Sequence, residues 1–352
     1  ISGAIADRAK FSAWCLFSVL WVSIVYFPVA HWVFYFGDAA SKTTPHLGNG
    51  AASGTVYGSG GWIVNRLGAL DFAGGTAVHI NAGAAALALC LVLGRRKGWP
   101  KTPMRPHNVP SVLLGAGLLW FGWFGFNAGS ALTAGGLAGQ AFLNTQVATA
   151  VGGLAWAGTE WLRDGKPTTV GFASGAVAGL VAVTPACGSI NAVGAVVLGI
   201  LVGVICAYAV GLKYRLGFDD SLDVVGVHLV GGIVGTLFVG FFATAAVDGV
   251  NVDGLFYGGG GKQLGIQAVA AISVFAYSFV IAYILGKVID KTIGFRISEE
   301  AEIEGIDGAE HSETGYDFSN MAGGFGSGLT VAGIGSTASS TGTASTSTGA
   351  GV

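Results

Sequence analysis

Two histidines stand out because each lies inside a stretch of sequence that is otherwise apolar enough to cross a lipid bilayer. His79 and His228 each have an aspartate a short way upstream, at Asp71 and Asp223. An ionisable ring at membrane depth is costly, so it normally faces a bundle interior or a pathway rather than lipid. If the two flanking spans run in opposite directions, the imidazoles reach a similar depth from opposite sides. The pattern predicts a membrane protein that handles a small polar or protonatable solute in its middle; two unrelated helix-packing histidines are the alternative.

Composition places the chain among polytopic membrane proteins. Only 10% of its 352 residues are charged and 52% are hydrophobic, and its mean hydropathy is +0.65, whereas soluble proteins carry about 25% charged residues. Sixty-one residues are glycine, which lets neighbouring transmembrane backbones approach closely. The formal net charge is only -2, so nothing suggests nucleic acid as a partner, and the expected surroundings are a lipid bilayer.

Eight segments are apolar over lengths that suit about 30 Å of hydrocarbon, which predicts an all-α polytopic membrane protein. They are Phe11–Val33, Phe72–Leu93, Val109–Ser130, Gly139–Trp156, Thr168–Val183, Ile190–Leu212, Leu222–Thr244 and Leu264–Leu285. With these spans, fourteen of the seventeen lysines and arginines fall on one side, and only Lys42, Arg66 and Lys262 fall on the other. Because cytoplasmic loops carry the excess of basic residues, both ends of this chain are predicted to be cytoplasmic.

The two ends of the sequence predict different things. The segment Ile1–Ala6 has no charged n-region and no cleavage-site pattern, so it resembles the last turn of a preceding span rather than a signal peptide. We therefore expect a chain truncated at its N-terminus. We also expect a transmembrane domain over residues 1–293, a cytoplasmic regulatory tail over 294–320 and a disordered Gly/Ser/Thr-rich tail over 321–352. The glutamates near the start of the regulatory tail are either a solvated face or a docking element.

The sequence offers little support for a metal or cofactor site. Its four cysteines show no Cys-x-x-Cys spacing, and Cys15, Cys90 and Cys206 are expected to pack as small apolar residues inside spans. Asp71 and Asp223 lie too far along a helix from their histidines to share a first shell of metal ligands easily. No cofactor is predicted.

Glycine spacing predicts close packing between several spans. Small residues that recur every four positions allow close helix contact in lipid, where no hydrophobic drive between helices exists. The recurring sets are Gly171 with Gly175 and Gly179, Gly199 with Gly203, and Gly231 with Gly235.

Four blocks of the sequence resemble the ammonium transporter (Amt/Mep/Rh) family. They are LDFAGGTAVHIN at 70–81, WFGFNAGS at 123–130, DVVGVH at 223–228, and GFRISEE with EGID between 294 and 307. The resemblance covers about Ile1 to Phe318, with the blocks in the family's order. It implies an inverted-repeat helix bundle with eleven spans in a complete chain, so that about eight are present here. It also implies a homotrimer with one pore per subunit.

The resemblance assigns the central roles to three residues. His79 and His228 match a twin-histidine pair that lines the pore, shares a hydrogen bond, and deprotonates ammonium or relays its protons. Phe126 matches one of two stacked phenylalanines that close the outer mouth; its partner would lie upstream of Ile1.

Further roles follow from the same resemblance. Ser130 matches a hydroxyl that helps to hold the cation in the outer vestibule, and Asp71 matches the acidic residue near that site. Trp123 resembles a pore-side aromatic residue. The vestibule tryptophan of many members falls at Phe34, with Trp32 two residues earlier, and phenylalanine gives a weaker cation–π contact than tryptophan.

Each of these residues has a simpler interpretation. Asp71 opens a span and could serve only as a helix cap, and Asp223 is expected to cap or brace its helix rather than touch substrate. Trp123 and Phe126 could be ordinary packing aromatics. Ser130 could simply bond the carbonyl four residues earlier.

Three classes of function fit the sequence. The favoured one is ammonium/ammonia transport across the cell membrane, with a PII-type regulatory protein as a partner of the cytoplasmic tail. The second is an ammonium sensor that signals through that tail. The third is an intramembrane enzyme, which the missing third metal ligand and the absent nucleophile motif disfavour. Residues 1–352 expressed alone are not expected to transport ammonium selectively, whereas an extended chain is.

Overall fold

The computed structural model describes residues 1–36, 60–102 and 104–316, which form helices and contain no β-strand beyond one isolated bridge between Ala9 and Arg296. Eight main helices follow in order: α1 (Phe11–Phe34), α2 (Gly75–Leu93), α3 (Val109–Gly129), α4 (Gly136–Asp164), α5 (Thr169–Val183), α6 (Ala192–Ala209), α7 (Val225–Phe242) and α8 (Lys262–Thr292). Two short helices follow, α9 (Glu299–Glu304) and α10 (Ile306–His311). The chain divides into two units, Ile1–His311 and Ser312–Val352. All of these helices belong to the first unit, and of the second only residues 312–316 are described.

Every predicted span corresponds to one of the main helices, and the all-helical membrane architecture is confirmed. Six of them (α1, α2, α3, α6 with its extension to Leu216, α7 and α8) are long and apolar enough to cross a membrane. The other two, α5 and α4, do not meet both conditions of length and apolar character. α5 has 15 residues, and α4 carries buried polar side chains such as Asn144, Thr145 and Thr149.

The largest errors in the predicted boundaries lie at the C-terminal ends of α4 and α8. Gly139–Trp156 extends in the structure to Asp164, and Leu264–Leu285 extends to Thr292. Hydropathy falls where charged residues begin, but an α-helix continues through such residues because they are good helix formers. A membrane-based prediction therefore ends these helices too early.

Glycine faces bring α4 against both α5 and α6. A Cβ on Gly175 would lie 2.6 Å from the Gly152 carbonyl oxygen, and a Cβ on Gly203 would lie 2.5 Å from the same oxygen. A Cβ on Gly235 in α7 would lie 2.0 Å from the Ala182 carbonyl oxygen. The close contacts predicted from glycine spacing are confirmed, and they fix α4, α5, α6 and α7 as one packed group.

The tail after α8 contacts the ends of α1 and α2. Phe295 is fully buried and lies 5.8 Å from Phe17, ring centre to ring centre. The Arg296 side chain donates to the Leu93 carbonyl at the end of α2 (3.0 Å) and to the carboxylate of Glu302 (2.7 Å). Lys97 pairs with Glu299 at 2.5 Å. The acidic segment thus docks on its own chain, whereas the predicted tail over 321–352 lies outside the described residues.

The cysteines divide by environment. Cys90, Cys187 and Cys206 are buried, whereas Cys15 is exposed on α1. Within the described chain the expectation that Cys15 acts as a small apolar packing residue is wrong, because α1 turns this position away from the other described residues.

Candidate functional site

The two histidine rings contact each other. Their Nδ1 atoms lie 3.3 Å apart, and the rings are stacked with centres 5.5 Å apart and planes inclined by 26°. His79 is only 3% exposed, and His228 is half-buried. The contact between ring nitrogens that the sequence predicts is therefore present.

Both histidines lie in the opening turns of their helices, and these turns are π-helical. His79 belongs to the segment Gly75–Ile80 and His228 to the segment Val225–Leu229. π-Helical turns carry an extra residue per turn and occur frequently at functional sites. The two helices therefore share the same local conformation at the residue that makes the contact.

Helices α2 and α7 cross in opposite directions at the histidine pair. Gly75, at the start of α2, lies against Thr236 in the second half of α7, and a Cβ there would be 2.8 Å from the Thr236 hydroxyl. Gly83, further along α2, lies against Leu229 near the start of α7, and a Cβ there would be 2.6 Å from the Leu229 Cα. Because a later residue of α2 contacts an earlier residue of α7, the two helices are antiparallel. This is the arrangement that an inverted repeat requires.

Thr184, which follows α5, joins His79 to Trp123. The Trp123 indole N–H donates to the Thr184 hydroxyl oxygen at 2.9 Å, and the Thr184 hydroxyl donates its one proton to the Leu180 carbonyl at 2.8 Å. His79 Nε2 lies 3.3 Å from the same hydroxyl oxygen. The tautomer of His79 with its N–H on Nε2 satisfies all three of these contacts at the Thr184 hydroxyl, and His79 Nε2 is assigned as the donor on that ground.

This assignment fixes the hydrogen bond between the histidines. A neutral imidazole with its proton on Nε2 has a bare Nδ1, which can only accept. His79 Nδ1 therefore accepts, and His228 Nδ1 donates. The Nε2 atom of His228 is left as the free acceptor of the pair.

Aromatic rings enclose His79. Trp123 stacks on it with ring centres 5.3 Å apart and planes inclined by 13°. Phe126 lies edge-on, 6.3 Å from His79 and 5.6 Å from Trp123. The structure thus brings together four of the predicted site residues, and α3 contributes both aromatics.

Ser130 and Phe34 lie outside this cluster. Ser130 donates to the Phe126 carbonyl at 2.8 Å, which is the local bond that its sequence position allows. Phe34, at the end of α1, lies beside the start of α2, where its ring edge would be 3.6 Å from a Cβ on Gly74. Trp32 packs instead against Trp62 and Tyr277, with ring centres 5.8 and 4.8 Å away.

The Asp71 carboxylate organises the start of α2. Its oxygens accept backbone N–H groups from Gly74 (3.0 Å), Gly75 (2.5 Å), Thr76 (2.8 Å) and Ala77 (3.3 Å), together with the Thr76 hydroxyl. These donors would otherwise be unpaired at the helix start. Asp71 thus holds the turn that carries His79.

In the second helix the matching carboxylate is Asp220 rather than Asp223. Asp220 accepts backbone N–H groups from Val224 (3.0 Å) and Val225 (2.7 Å), while Asp223 pairs with Lys213 at 2.7 Å. Asp223 therefore braces the turn, as its sequence position suggested. Asp220 was missed, although it precedes His228 by the same eight residues that separate Asp71 from His79.

Asp220 makes stability depend on pH in an unusual direction. Burial, with a contribution from Asp223, raises the pKa of Asp220 to about 6, whereas an unfolded aspartate titrates near its ordinary value of about 3.9. The folded state then binds more protons than the unfolded state between these values, so stability falls as pH rises through this window. The free energy of unfolding of Asp220→Asn, measured relative to the wild type, should therefore rise by up to about 3 kcal/mol as the pH rises from about 4 to about 7.

Thermal unfolding in detergent across that range measures this effect. Asp248→Asn, at an exposed aspartate, is the matched control and should show a constant difference from the wild type. A difference for Asp220→Asn that does not vary with pH would contradict the assignment.

The described residues hold no group of three or more histidine, cysteine, aspartate or glutamate side chains placed to bind a metal ion. The polar chemistry of the site is therefore that of two imidazoles, one hydroxyl and one indole N–H. These groups can form hydrogen bonds and exchange protons, and the surrounding surface is aromatic and apolar.

Known proteins resemble this chain in sequence and fold. The model of the Ammonium Transporter Family matches residues 1–316. An ammonium transporter of Mycobacterium bovis is 58% identical over 328 residues, which cover 92% of this chain and 65% of the relative. The crystal structure of Candida albicans Mep2 matches with a TM-score of 0.72 and 38% identity, covering 85% of this chain and 62% of that one.

A structure named "Sensor Amt Protein" also matches, with a TM-score of 0.74 and 32% identity, covering 88% of this chain and 72% of that chain. The chain thus spans about two thirds of the length of the relatives that it matches. The Mycobacterium bovis relative is named as a transporter and not as an enzyme. From the match over residues 1–316 and the shared fold, this chain belongs to the ammonium transporter family.

Proposed function

We propose that the protein carries ammonium or ammonia across the membrane along a passage that runs past His79 and His228. The observation that supports this most is the 3.3 Å contact between the two Nδ1 atoms, made at the crossing of two antiparallel helices within apolar and aromatic surroundings. Ammonium transport is also what the name of the Mycobacterium bovis relative states.

The chemistry of the pair suits a solute that can lose a proton. An unpaired cation in a dry passage costs several kcal/mol even after relaxation, so apolar walls favour neutral ammonia over ammonium. A neutral imidazole can accept a proton and can hydrogen-bond to ammonia. Potassium has no proton to give up and would be excluded. In this proposal His228 Nε2 is the free acceptor that meets the solute.

The other predicted residues take supporting roles in the proposal. Phe126 and Trp123 form the aromatic wall beside His79, and Phe34 and Ser130 belong to the outer entrance, where aromatic faces and a hydroxyl attract a cation that is still hydrated. Asp71 acts as a positioning residue through the start of α2 rather than as a direct ligand of the cation.

Uptake of radiolabelled methylammonium tests the transport function. Cells that lack their own ammonium transporters should accumulate the label when they express the complete gene, at a pH where little neutral amine diffuses unaided. A thousandfold excess of potassium should leave uptake unchanged, and ammonium should compete. Strong inhibition by potassium would contradict selection by deprotonation.

A sensor function is the second candidate, favoured by the match to a protein named as a sensor and by the docked tail. In that case α9 and α10 would report the state of the membrane domain through contacts such as Lys97 with Glu299. Signalling that is lost on breaking this pair, with methylammonium uptake intact, would support the sensor. Uptake without any signalling output would support the transporter alone.

The assembly proposed here is a homotrimer in the cell membrane with its C-terminus in the cytoplasm. Exposed apolar side chains on α3 support this proposal, because they need lipid or a second copy of the chain to cover them. Leu114, Leu118 and Phe121 are 66%, 65% and 78% exposed. A PII-type protein is the proposed partner of the tail. Cross-linking of the complete protein that stops at dimers would contradict the trimer.

A further inference from the structure

A glutamine of α8 uses its entire side-chain amide inside the protein. Gln267 is fully buried. Its Oε1 accepts the Leu70 backbone N–H at 2.8 Å and an N–H of the Gln263 amide at 3.2 Å. Its Nε2 donates to the Leu70 carbonyl at 2.6 Å and to the Thr236 carbonyl at 3.1 Å. An amide offers two donors and two acceptor lone pairs, so all four hydrogen-bonding positions of Gln267 are occupied.

These bonds fix which way the amide points. If Oε1 and Nε2 exchanged places, the nitrogen would face the Leu70 N–H and the oxygen would face two carbonyls. The network therefore assigns the orientation of the amide. Among the described residues, the N–H and the carbonyl of Leu70 have no hydrogen-bond partner other than Gln267.

Leu70 needs such a partner because it lies in buried backbone that is not helical. It belongs to the segment between the π-helical turn Trp62–Leu67 and the start of α2, and it is only 1% exposed. A buried backbone N–H or carbonyl that is left unpaired costs about 1–3 kcal/mol. Gln267 thus stabilises backbone that no helix can satisfy.

The segment that Gln267 holds leads directly into the histidine site. Asp71 is the next residue, and its carboxylate accepts the first N–H groups of α2. Ala73 donates its N–H to the Thr184 carbonyl at 3.2 Å, and the Thr184 hydroxyl contacts His79. Leu70 is therefore the fixed point at one end of this segment, and Thr184 holds the other.

The bond to Thr236 joins the same amide to the helix of the second histidine. Thr236 lies eight residues after His228 on α7 and faces Gly75 at the start of α2. One side chain of α8 therefore bonds both to α7 and to the segment that begins α2. Because these two helices cross at the histidine pair, a shift of one along the other changes the distance between the two Nδ1 atoms.

We propose that Gln267 is a positioning residue for the histidine pair. Its amide holds the start of α2 against α7, so that the two Nδ1 atoms stay within hydrogen-bond distance. Gln267 acts through Leu70 and Thr236 and does not touch the solute. Its effect on uptake rests on the proposed transport function, whereas its effect on the contact between the rings does not.

Gln267→Leu tests this role, because it removes all four bonds and keeps most of the volume. In the complete protein labelled with ¹⁵N-histidine, solid-state NMR should show a correlation between the two Nδ1 nitrogens, identified by its loss in His79→Ala. The intensity falls steeply with distance, so the correlation should disappear in Gln267→Leu. Methylammonium uptake per folded molecule should fall about 100-fold, since a misplacement of about 1 Å can cost that much.

Gln267→Glu provides a second test, which also serves if Gln267→Leu does not fold. A carboxyl group has at most one O–H to donate. This variant therefore keeps the acceptor contacts with Leu70 and Gln263 but loses at least one of the two donations. Its nitrogen correlation should be weaker than in the wild type, and its uptake per folded molecule should be lower.

Ser278→Ala is the matched control. Ser278 lies on the same helix and donates a buried hydrogen bond to the Asn81 carbonyl of α2 at 2.7 Å, but in the described chain its hydroxyl bonds neither Leu70 nor α7. Its nitrogen correlation and uptake should equal those of the wild type, even if the midpoint of thermal unfolding falls.

An unchanged nitrogen correlation in the Gln267 variants that fold would overturn the proposal. An equal loss of the correlation in Ser278→Ala would also overturn it, because any lost bond between α8 and α2 would then have the same effect. If the wild type took up no methylammonium but Gln267→Leu still lost the correlation, the positioning role would be supported and only the transport function would be contradicted.

Discussion

Replacing His79 with alanine is expected to lower methylammonium uptake by at least about 100-fold, because a positioned acid–base group contributes about 100-fold to 10,000-fold to a proton-transfer step. The same loss is expected for His228→Ala, since His228 Nε2 is the free acceptor of the pair. Each change also removes one end of the hydrogen bond between the two Nδ1 atoms. Initial uptake rates, normalised to the amount of protein in the membrane, measure the effect.

Two further variants separate proton transfer from packing. His79→Gln keeps much of the volume and can still hydrogen-bond, but an amide does not titrate near neutral pH, so uptake should fall as it does for alanine. His31→Ala removes an exposed histidine that stacks on Tyr35 and should transport normally. Wild-type uptake by His79→Gln would show that the imidazole only packs or bonds.

Gly83→Ala is expected to destabilise the protein strongly and to separate the two histidines. The new Cβ would lie 2.5 to 2.6 Å from the Cβ, Cα and backbone nitrogen of Leu229. An ordinary contact needs about 1 Å more, and backbone atoms at a helix crossing cannot yield as a flexible side chain can. Overpacking of this kind costs about 1–3 kcal/mol or more. The midpoint of thermal unfolding in detergent should fall, and uptake should fall with it.

Gly265→Ala is the matched control, since a Cβ at that position in α8 would meet no described atom within 4 Å. Alanine is a better helix former than glycine by about 0.5–1 kcal/mol, so this variant should be as stable as the wild type or more stable. Equal stability of Gly83→Ala and Gly265→Ala would mean that α2 and α7 do not approach each other as closely as described.

The sequence predicts the helices well and their ends poorly. Hydropathy locates all eight main helices because the membrane requires a long apolar run for each span. It cannot locate helix starts that polar groups define. Phe72–Leu93 and Leu222–Thr244 were each predicted to begin three residues early, because capping by Asp71 and Asp220 decides where the backbone enters the helix.

The site was predicted in part, for reasons that differ between residues. His79 and His228 stand out because ionisable residues are rare in apolar runs. Thr184 does not, because a threonine at the end of a helix is ordinary and only the fold brings it to His79. The spacing between Asp220 and His228 predicts the role of Asp220, because it equals the spacing between Asp71 and His79. Asp223 lies closer to His228 in the sequence and hides this match. The π-helical turns could not be found, since periodicity analysis assumes 3.6 residues per turn.

The antiparallel crossing of α2 and α7 has a consequence for direction. A solute that approaches from either face would pass a helix start held by an aspartate, Asp71 on one side and Asp220 on the other, before it reaches an imidazole. In the proposed transport, the crossing itself would impose no direction on the solute. Within it, net flow would follow the difference in concentration, and any preferred direction would have to arise from the unequal surroundings of the two mouths.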